Sequence, residues 1–155
     1  MDFELSPELQ ELQLRARKVA AEGVAEFGRF NDSWINGFSK GFARRMSEEG
    51  WIGMGWPKEH GGQERPPIER VIVAEEMISV GAPIAAMWFA DRQMGPTLIA
   101  YGTADQQAEY LPAMLAGETT WCIGMSEPDS GSDLASLKTS AVRDGDHFVI
   151  NGQKI

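Results

Sequence analysis

The run Gly124-Met125-Ser126-Glu127-Pro128-Asp129-Ser130-Gly131-Ser132-Asp133 concentrates a hydroxyl, small residues and turn formers where a backbone could wrap a polar, phosphate-bearing ligand. Ser130-Gly131-Ser132 lets the main chain approach a ligand closely and aim N–H groups at anionic oxygens, as concave anion-binding nests do. Pro128-Asp129 sets a turn just before them. An apolar, strand-like Thr120-Trp121-Cys122-Ile123 precedes the run, so the loop is expected to hang from a sheet edge. The same composition also suits a solvated turn with no ligand. Read alone, Ser126 is either a ligand hydroxyl or a cap on its own turn.

Other side chains offer less. Glu127 and Asp133 flank the loop, but an acid/base pair there is rejected: their charges are better turned outward or spent on turn N–H groups. Glu75 and Glu76 sit among apolar residues of a helix, where a buried carboxylate needs a partner, and Arg44, Arg45 or Arg70 is expected to supply it. Met87, Trp88, Phe89 and Met94 form an apolar, adaptable cluster that, taken by itself, reads as core. Asp91-Arg92 interrupts it with charge, leaving room for a bulky or polar-edged group. His60 and His147 are too isolated, with the lone Cys122, to suggest a metal site. Cys122 itself reads as a small buried apolar residue, and a single cysteine permits no internal disulfide.

The elements that must position these residues change character along the chain. Ser6-Pro7 starts a helix, and Leu9, Leu12, Ala16, Val19 and Gly23 carry it to about Phe27. A second helix is expected from near Asn36 to Gly50, with Phe38, Phe42 and Met46 on one face. Trp51 to Pro66 reads as a long Gly/Pro-rich connection. A third helix opens at Pro67, turns Ile68, Val71, Ile72, Glu75 and Ile78 to one side, and stops at Gly81-Ala82-Pro83. Ile84 to about Ala100 follows as helix, with a possible break at Gly95-Pro96. Thr103-Ala104-Asp105-Gln106 is a capping box opening another helix, with Ala108, Leu111 and Leu115.

After Gly117 the period falls from near 3.6 to 2, which sets the expected domain boundary: a helical domain over 1–117 and the start of a β domain over 118–155. Ser140-Ala141-Val142-Arg143 and His147-Phe148-Val149-Ile150 flank the hairpin signal Asp144-Gly145, and Asn151-Gly152 is a second such signal. The fold class is therefore mainly α: a helical bundle followed by the first strands of an antiparallel, barrel-like β domain. So short a meander cannot bury a sheet face alone, so the chain is expected to be a piece of something longer or to be completed by a partner.

At 155 residues, with 43% hydrophobic and 24% charged, the composition is that of a globular chain. A net charge of −9 without any Lys/Arg run argues against general nucleic-acid binding, but not against a cofactor held by backbone N–H groups. Met1-Asp2-Phe3-Glu4 lacks the basic, apolar start of a secretory signal, which makes the cytoplasm the default expectation. The longest uncharged run, Met77 to Ala90, is shorter than the roughly 20 residues that span a bilayer.

The string Gly-Met-Ser-Glu-Pro-Asp-Ser-Gly-Ser-Asp at 124–133 resembles the signature segment of the acyl-CoA dehydrogenases, in which Ser or Thr precedes Glu-Pro and Gly-Ser-Asp follows. Gly50-Trp51 through Trp56-Pro57-Lys58-Glu59-His60-Gly61-Gly62 is similar to that family's interhelical loop. Val73-Ala74-Glu75-Glu76-Met77 is similar to its next helix, and Phe148 to Ile155 to a strand-turn-strand leading to a second flavin-contacting segment. The resemblance spans essentially the whole chain.

The resemblance implies FAD as cofactor, with Ser126 and the backbone of Met125 at the flavin ring, and Gly131 and Ser132 at the pyrophosphate. It implies an acyl-CoA substrate, with Met87, Phe89, Met94 and Ser132 as substrate-binding residues, and α,β-dehydrogenation to a trans-2-enoyl-CoA. An electron-transfer flavoprotein is the implied acceptor, and a homo- or hetero-oligomer the implied state. The family's catalytic Glu lies in its C-terminal helical part, and no position here matches it. Two other readings are a non-catalytic partner subunit or scaffold that binds acyl-CoA or flavin, and an acyl-CoA oxidase or flavin monooxygenase of the same architecture.

Overall fold

The computed structural model describes residues 4–155. Met1 to Phe3, part of the segment read for a leader, lie outside the described residues. The chain divides after Trp121 into two compact units.

The first unit is helical. Helix α1 spans Pro7–Phe27: the Ser6 hydroxyl accepts the Leu9 N–H at 3.4 Å, and Pro7, which has no N–H to lose, takes the first helical position. Its buried stripe is Ala16, Val19, Ala20 and Gly23. Helix α2 covers Lys40–Glu48, capped by Ser39, and buries Phe42, Ala43 and Met46. It begins later than its periodicity suggests, because the Ser39 hydroxyl captures the Phe42 N–H at 3.1 Å, and Phe38 is left outside and exposed. Phe42, 0% exposed, contributes roughly 1.5–3 kcal/mol by its burial.

Helix α3, Pro67–Val80, turns a different face inward from the one expected. Ile72, Val73, Glu76 and Met77 are buried, whereas Ile68, Val71 and Ile78 are exposed. Apolar residues lie all round this helix, so its periodicity defines no unique face. The choice is made by α1: Arg17 grips Glu76 with Nε to Oε2 and Nη2 to Oε1, both at 2.9 Å. Arg17 is thus the partner of Glu76, in place of Arg44, Arg45 or Arg70. Arg45 is engaged by Glu22 and Glu49, and Glu75 is exposed. The connection from Trp51 is no surface tether, since Trp51, Ile52, Met54 and Trp56 are all buried.

Residues 85–101 form one interrupted helical run: α4 (Ala85–Phe89), a π turn (Ala90–Met94) and α5 (Gly95–Tyr101). The expected break at Gly95-Pro96 is instead this wide turn just before it. Pro96 has no N–H and its ring crowds the preceding turn, so an extra residue in the π turn relieves the conflict. Helix α6, Ala104–Leu115, opens with the expected capping box, Thr103 Oγ1 accepting the Gln106 N–H and Gln106 Oε1 accepting the Thr103 N–H. It buries Leu111 and Met114, while Ala108 points outward. Leu111 and Met114 form a second core with Trp56 and Ala90.

The second unit holds a two-stranded antiparallel sheet, β1 (Ser140–Asp144) and β2 (His147–Asn151), in register Val142 to Val149. The turn residues are Gly145-Asp146, one position later than the Asp144-Gly145 signal, because Asp144 still pairs with His147. Gly145 takes φ 59° at the first turn position, where a side chain would be strained. Both strands are exposed throughout. Thr120 to Ile123 is not a strand: among the described residues it finds no pairing partner, and Cys122 is exposed, not buried. No helix among the described residues is long and apolar enough to cross a membrane.

Candidate functional site

The run from Met125 to Ser132 is folded as a tight reversal. Glu127 and Ser130 exchange both backbone hydrogen bonds, at 2.8 and 3.1 Å, with Pro128-Asp129 at the tip. Met125 and Ser126 precede this bridge, and Gly131 and Ser132 follow it. Ser130 is buried and inward, its Oγ 2.7 Å from Ser136 Oγ, so it braces the short turn Leu134–Ser136 and does not present its hydroxyl. Ser126 is half-buried, and Met125, Gly131 and Ser132 are exposed. Among the described residues, the N–H groups of Met125, Ser126, Gly131 and Ser132 donate to no acceptor. A Cβ added to Gly131 would meet nothing within 4 Å, so open space faces this arm.

Glu127 is 7% exposed yet carries a carboxylate. Its Oε1 accepts the Thr139 N–H at 2.9 Å and Lys154 Nζ at 3.0 Å, and its Oε2 accepts the Lys138 N–H at 2.8 Å. Thr139 first, then the neighbouring N–H groups and finally Lys154 hold its carboxyl down to about 2, against the opposing effect of burial. The carboxylate is thus spent on main-chain N–H groups, as expected, but on those of Lys138 and Thr139 and not on those of its own turn, with Lys154 an added partner. Asp133 contributes its backbone carbonyl, which accepts from Ser136 Oγ at 3.0 Å.

In the helical unit, Met87 lines a narrow crevice together with Met46, Trp51, Met54, Met77 and Trp88. Its room, about 20 Å³, is that of a single water molecule. Phe89 is half-buried and lies outside this lining. Met94 packs instead on the second core beside Trp56 and Leu111. Of the four predicted substrate residues, Met87, Phe89 and Met94, the three in the helical unit, therefore do not share one cavity.

Charge enters the crevice through Arg70, Asp91 and Arg92. Asp91, 3% exposed, accepts the Gly53 N–H at 2.7 Å through Oδ1, and its backbone oxygen accepts Trp56 Nε1 at 2.9 Å. Burial raises its carboxyl above the usual range, opposed by the Gly53 N–H and by Arg92 and Arg70. Arg92 stacks on Trp88, its Cζ 3.9 Å from the ring centroid. Burial and the like charge of Arg70 lower its pKa.

A family model described as acyl-CoA dehydrogenase, N-terminal domain, matches residues 6–118. The chain belongs to the acyl-CoA dehydrogenase family. It is 40% identical to the acyl-CoA dehydrogenase FadE29 of Mycobacterium tuberculosis, matching over 100% of its own length and 40% of that protein's. The solved structure described as Tcur3481-Tcur3483 steroid ACAD has a TM-score of 0.86 at 38% identity, covering 100% of this chain and 41% of that one. The ChsE4-ChsE5 complex of Mycobacterium tuberculosis has a TM-score of 0.82 at 35% identity, with 100% and 39% covered. The chain thus spans about 40% of the length of the acyl-CoA dehydrogenases it matches.

Two long-range contacts of this chain were not readable from its sequence. Nothing near Asp91 indicates that it receives an N–H from a segment 38 residues earlier. Lys154 reaches back to Glu127 over 27 residues, and only the expected turn at Asn151-Gly152 hinted that the chain returns there.

Proposed function

We propose that this chain serves the FAD-dependent α,β-dehydrogenation of an acyl-CoA thioester to the trans-2-enoyl-CoA, contributing part of the flavin wall and part of the acyl cavity. The observation that carries the reading is the 125–132 reversal, whose two arms expose unshared N–H groups beside an unobstructed Gly131. Such a rim fits an anionic, oxygen-rich group. On this reading Met125 and Ser126 would hold the flavin ring, and Gly131 and Ser132 the pyrophosphate. Bound FAD supplies the hydride acceptor. The chain's own groups contribute by fixing the ring and stabilising negative charge that builds up on it.

Met87, Phe89, Met94 and Ser132 are proposed as substrate contacts, and the crevice beside Met87, with room for a single water, would have to widen to admit an acyl group. The charged edge made by Arg70, Asp91 and Arg92 favours a bulky or polar-edged acyl group over a plain alkyl chain. No carboxylate of this chain is assigned as the base that takes the α proton: Glu127 is committed to three donors, and Glu76 to Arg17. An electron-transfer flavoprotein as acceptor and a cytoplasmic setting belong to the same reading, as does a domain boundary at residue 117.

The test is to purify the full-length protein, incubate it with FAD, remove free cofactor and record the visible spectrum before and after acyl-CoA addition. A retained flavin bleached anaerobically by acyl-CoA supports the proposal. Retained flavin that no acyl-CoA bleaches defeats it. Ser126→Ala should lower flavin retention or shift its potential while leaving the helical circular dichroism unchanged.

A second reading is favoured by the names of two compared structures, Tcur3481-Tcur3483 and ChsE4-ChsE5, each joining two chains. On it, this chain works in a hetero-oligomer whose other member supplies the base. Copurification with a related chain, and bleaching only by the mixed assembly, separates it from the first.

A further inference from the structure

Three consecutive residues of the second unit, Met125 to Glu127, are held by donors from residues 138, 139, 154 and 155. Lys154 Nζ donates to the Met125 carbonyl at 3.0 Å, the Ile155 N–H donates to the Ser126 carbonyl at 3.0 Å, and Glu127 is fixed by three donors. The Met125 carbonyl and the Ser126 N–H belong to one peptide group. A cation on that carbonyl withdraws electron density through the amide and makes the N–H on its other side a stronger donor. Among the described residues that N–H has no acceptor of its own.

Lys154 can hold this position because Glu127 holds Lys154. The Lys154 side chain is 29% exposed, and its ammonium meets two oxygens, the Met125 carbonyl and the Glu127 carboxylate, which is itself immobilised. The carboxylate neutralises the ammonium locally, and both N–H groups that complete its shell come from the main chain at 138–139. A flexible lysine is thereby reduced to one geometry.

We propose that Lys154, oriented by Glu127, polarises the Met125–Ser126 peptide so that the Ser126 N–H stabilises the electron-rich form of the ligand in the 125–132 reversal. Both are positioning residues, and the inference rests on the flavin reading above. It differs from a purely structural brace in what it changes. A brace would alter stability alone, whereas polarisation alters the preference of the site for reduced over oxidised flavin.

The experiment measures the midpoint potential of bound FAD in the full-length protein and in Lys154→Met, Lys154→Gln and Lys154→Arg, with melting temperatures alongside. Lys154→Met should lower the affinity for reduced relative to oxidised flavin by about tenfold, a potential shift of about 30 mV to the negative for a two-electron couple. Lys154→Arg, which keeps the charge, should recover most of the shift. Lys154→Gln, which keeps a donor without charge, should fall between and carries the test if Lys154→Met fails to fold. An unchanged potential in Lys154→Met or Lys154→Gln overturns the proposal. A shift in Ser126→Ala but not in the Lys154 variants removes this inference and leaves the flavin reading standing. A full-length protein that retains no FAD removes both.

Discussion

Replacing Gly131 separates ligand binding from folding more cleanly than any other substitution in the reversal. Its position is exposed, its φ is not in the left-handed region, and an added Cβ meets no atom within 4 Å. Gly131→Ala therefore costs the folded chain nothing sterically, and by restricting the unfolded chain it should change stability by about 0 to +1 kcal/mol. The bound state is different. On the proposed flavin reading, a methyl group at Gly131 would hold the pyrophosphate away from the N–H groups of Gly131 and Ser132. A hydrogen bond to a charged group is worth about 1.5–3 kcal/mol, so losing one should weaken FAD binding by roughly 10- to 150-fold. Thermal melting and an FAD titration of the full-length protein read the two effects separately. The reasoning fails if Gly131→Ala melts several degrees lower, which would mean hidden contacts, or if it melts normally and binds FAD as well as the parent.

Two further substitutions probe the helical unit. Gly95 lies against Trp56, and a Cβ there would stand 1.9 Å from the ring, so Gly95→Ala should destabilise by roughly 1–3 kcal/mol through overpacking, read as a lower denaturant midpoint. Asp91→Asn keeps an oxygen for the Gly53 N–H and removes a buried charge. Because burial raises the Asp91 carboxyl above its ordinary 3.8, ionisation weakens the fold as pH rises from that value through the raised pKa. Asp91→Asn should therefore be no less stable than the parent at pH 7 and lose any advantage near pH 3, in urea melts at the two pH values. A variant less stable at pH 7 would mean that the Arg70 and Arg92 attractions outweigh desolvation.

Local signals carried much of this molecule. Ser6-Pro7 and the Thr103 to Gln106 box set helix starts because a cap is satisfied within three residues of itself, and Pro67 does so because it has no N–H to lose at the first helical position. Pro128-Asp129 and Gly145 did the same for turns, whereas the strand expected at Thr120 to Ile123 did not form and the first strand starts at Ser140. The family was legible from the 124–133 string, which needs no tertiary information to be matched.

What the tertiary structure decided concerns partners far apart in the chain. Helix α3 carries apolar residues on every side, and only its packing on α1, with Arg17 meeting Glu76, selected Val73 and Met77 over Val71 and Ile78. The burial of Asp91, the dispersal of Met87 and Met94 into separate cores, and the exposure of Cys122 likewise depend on what the rest of the chain brings against them. The Lys154 grip on Glu127 and Met125 has the same origin. Sequence patterns report which residues prefer burial or turns, because those preferences are local free energies. They do not report which of several acceptable neighbours arrives, because that depends on how all the elements pack at once.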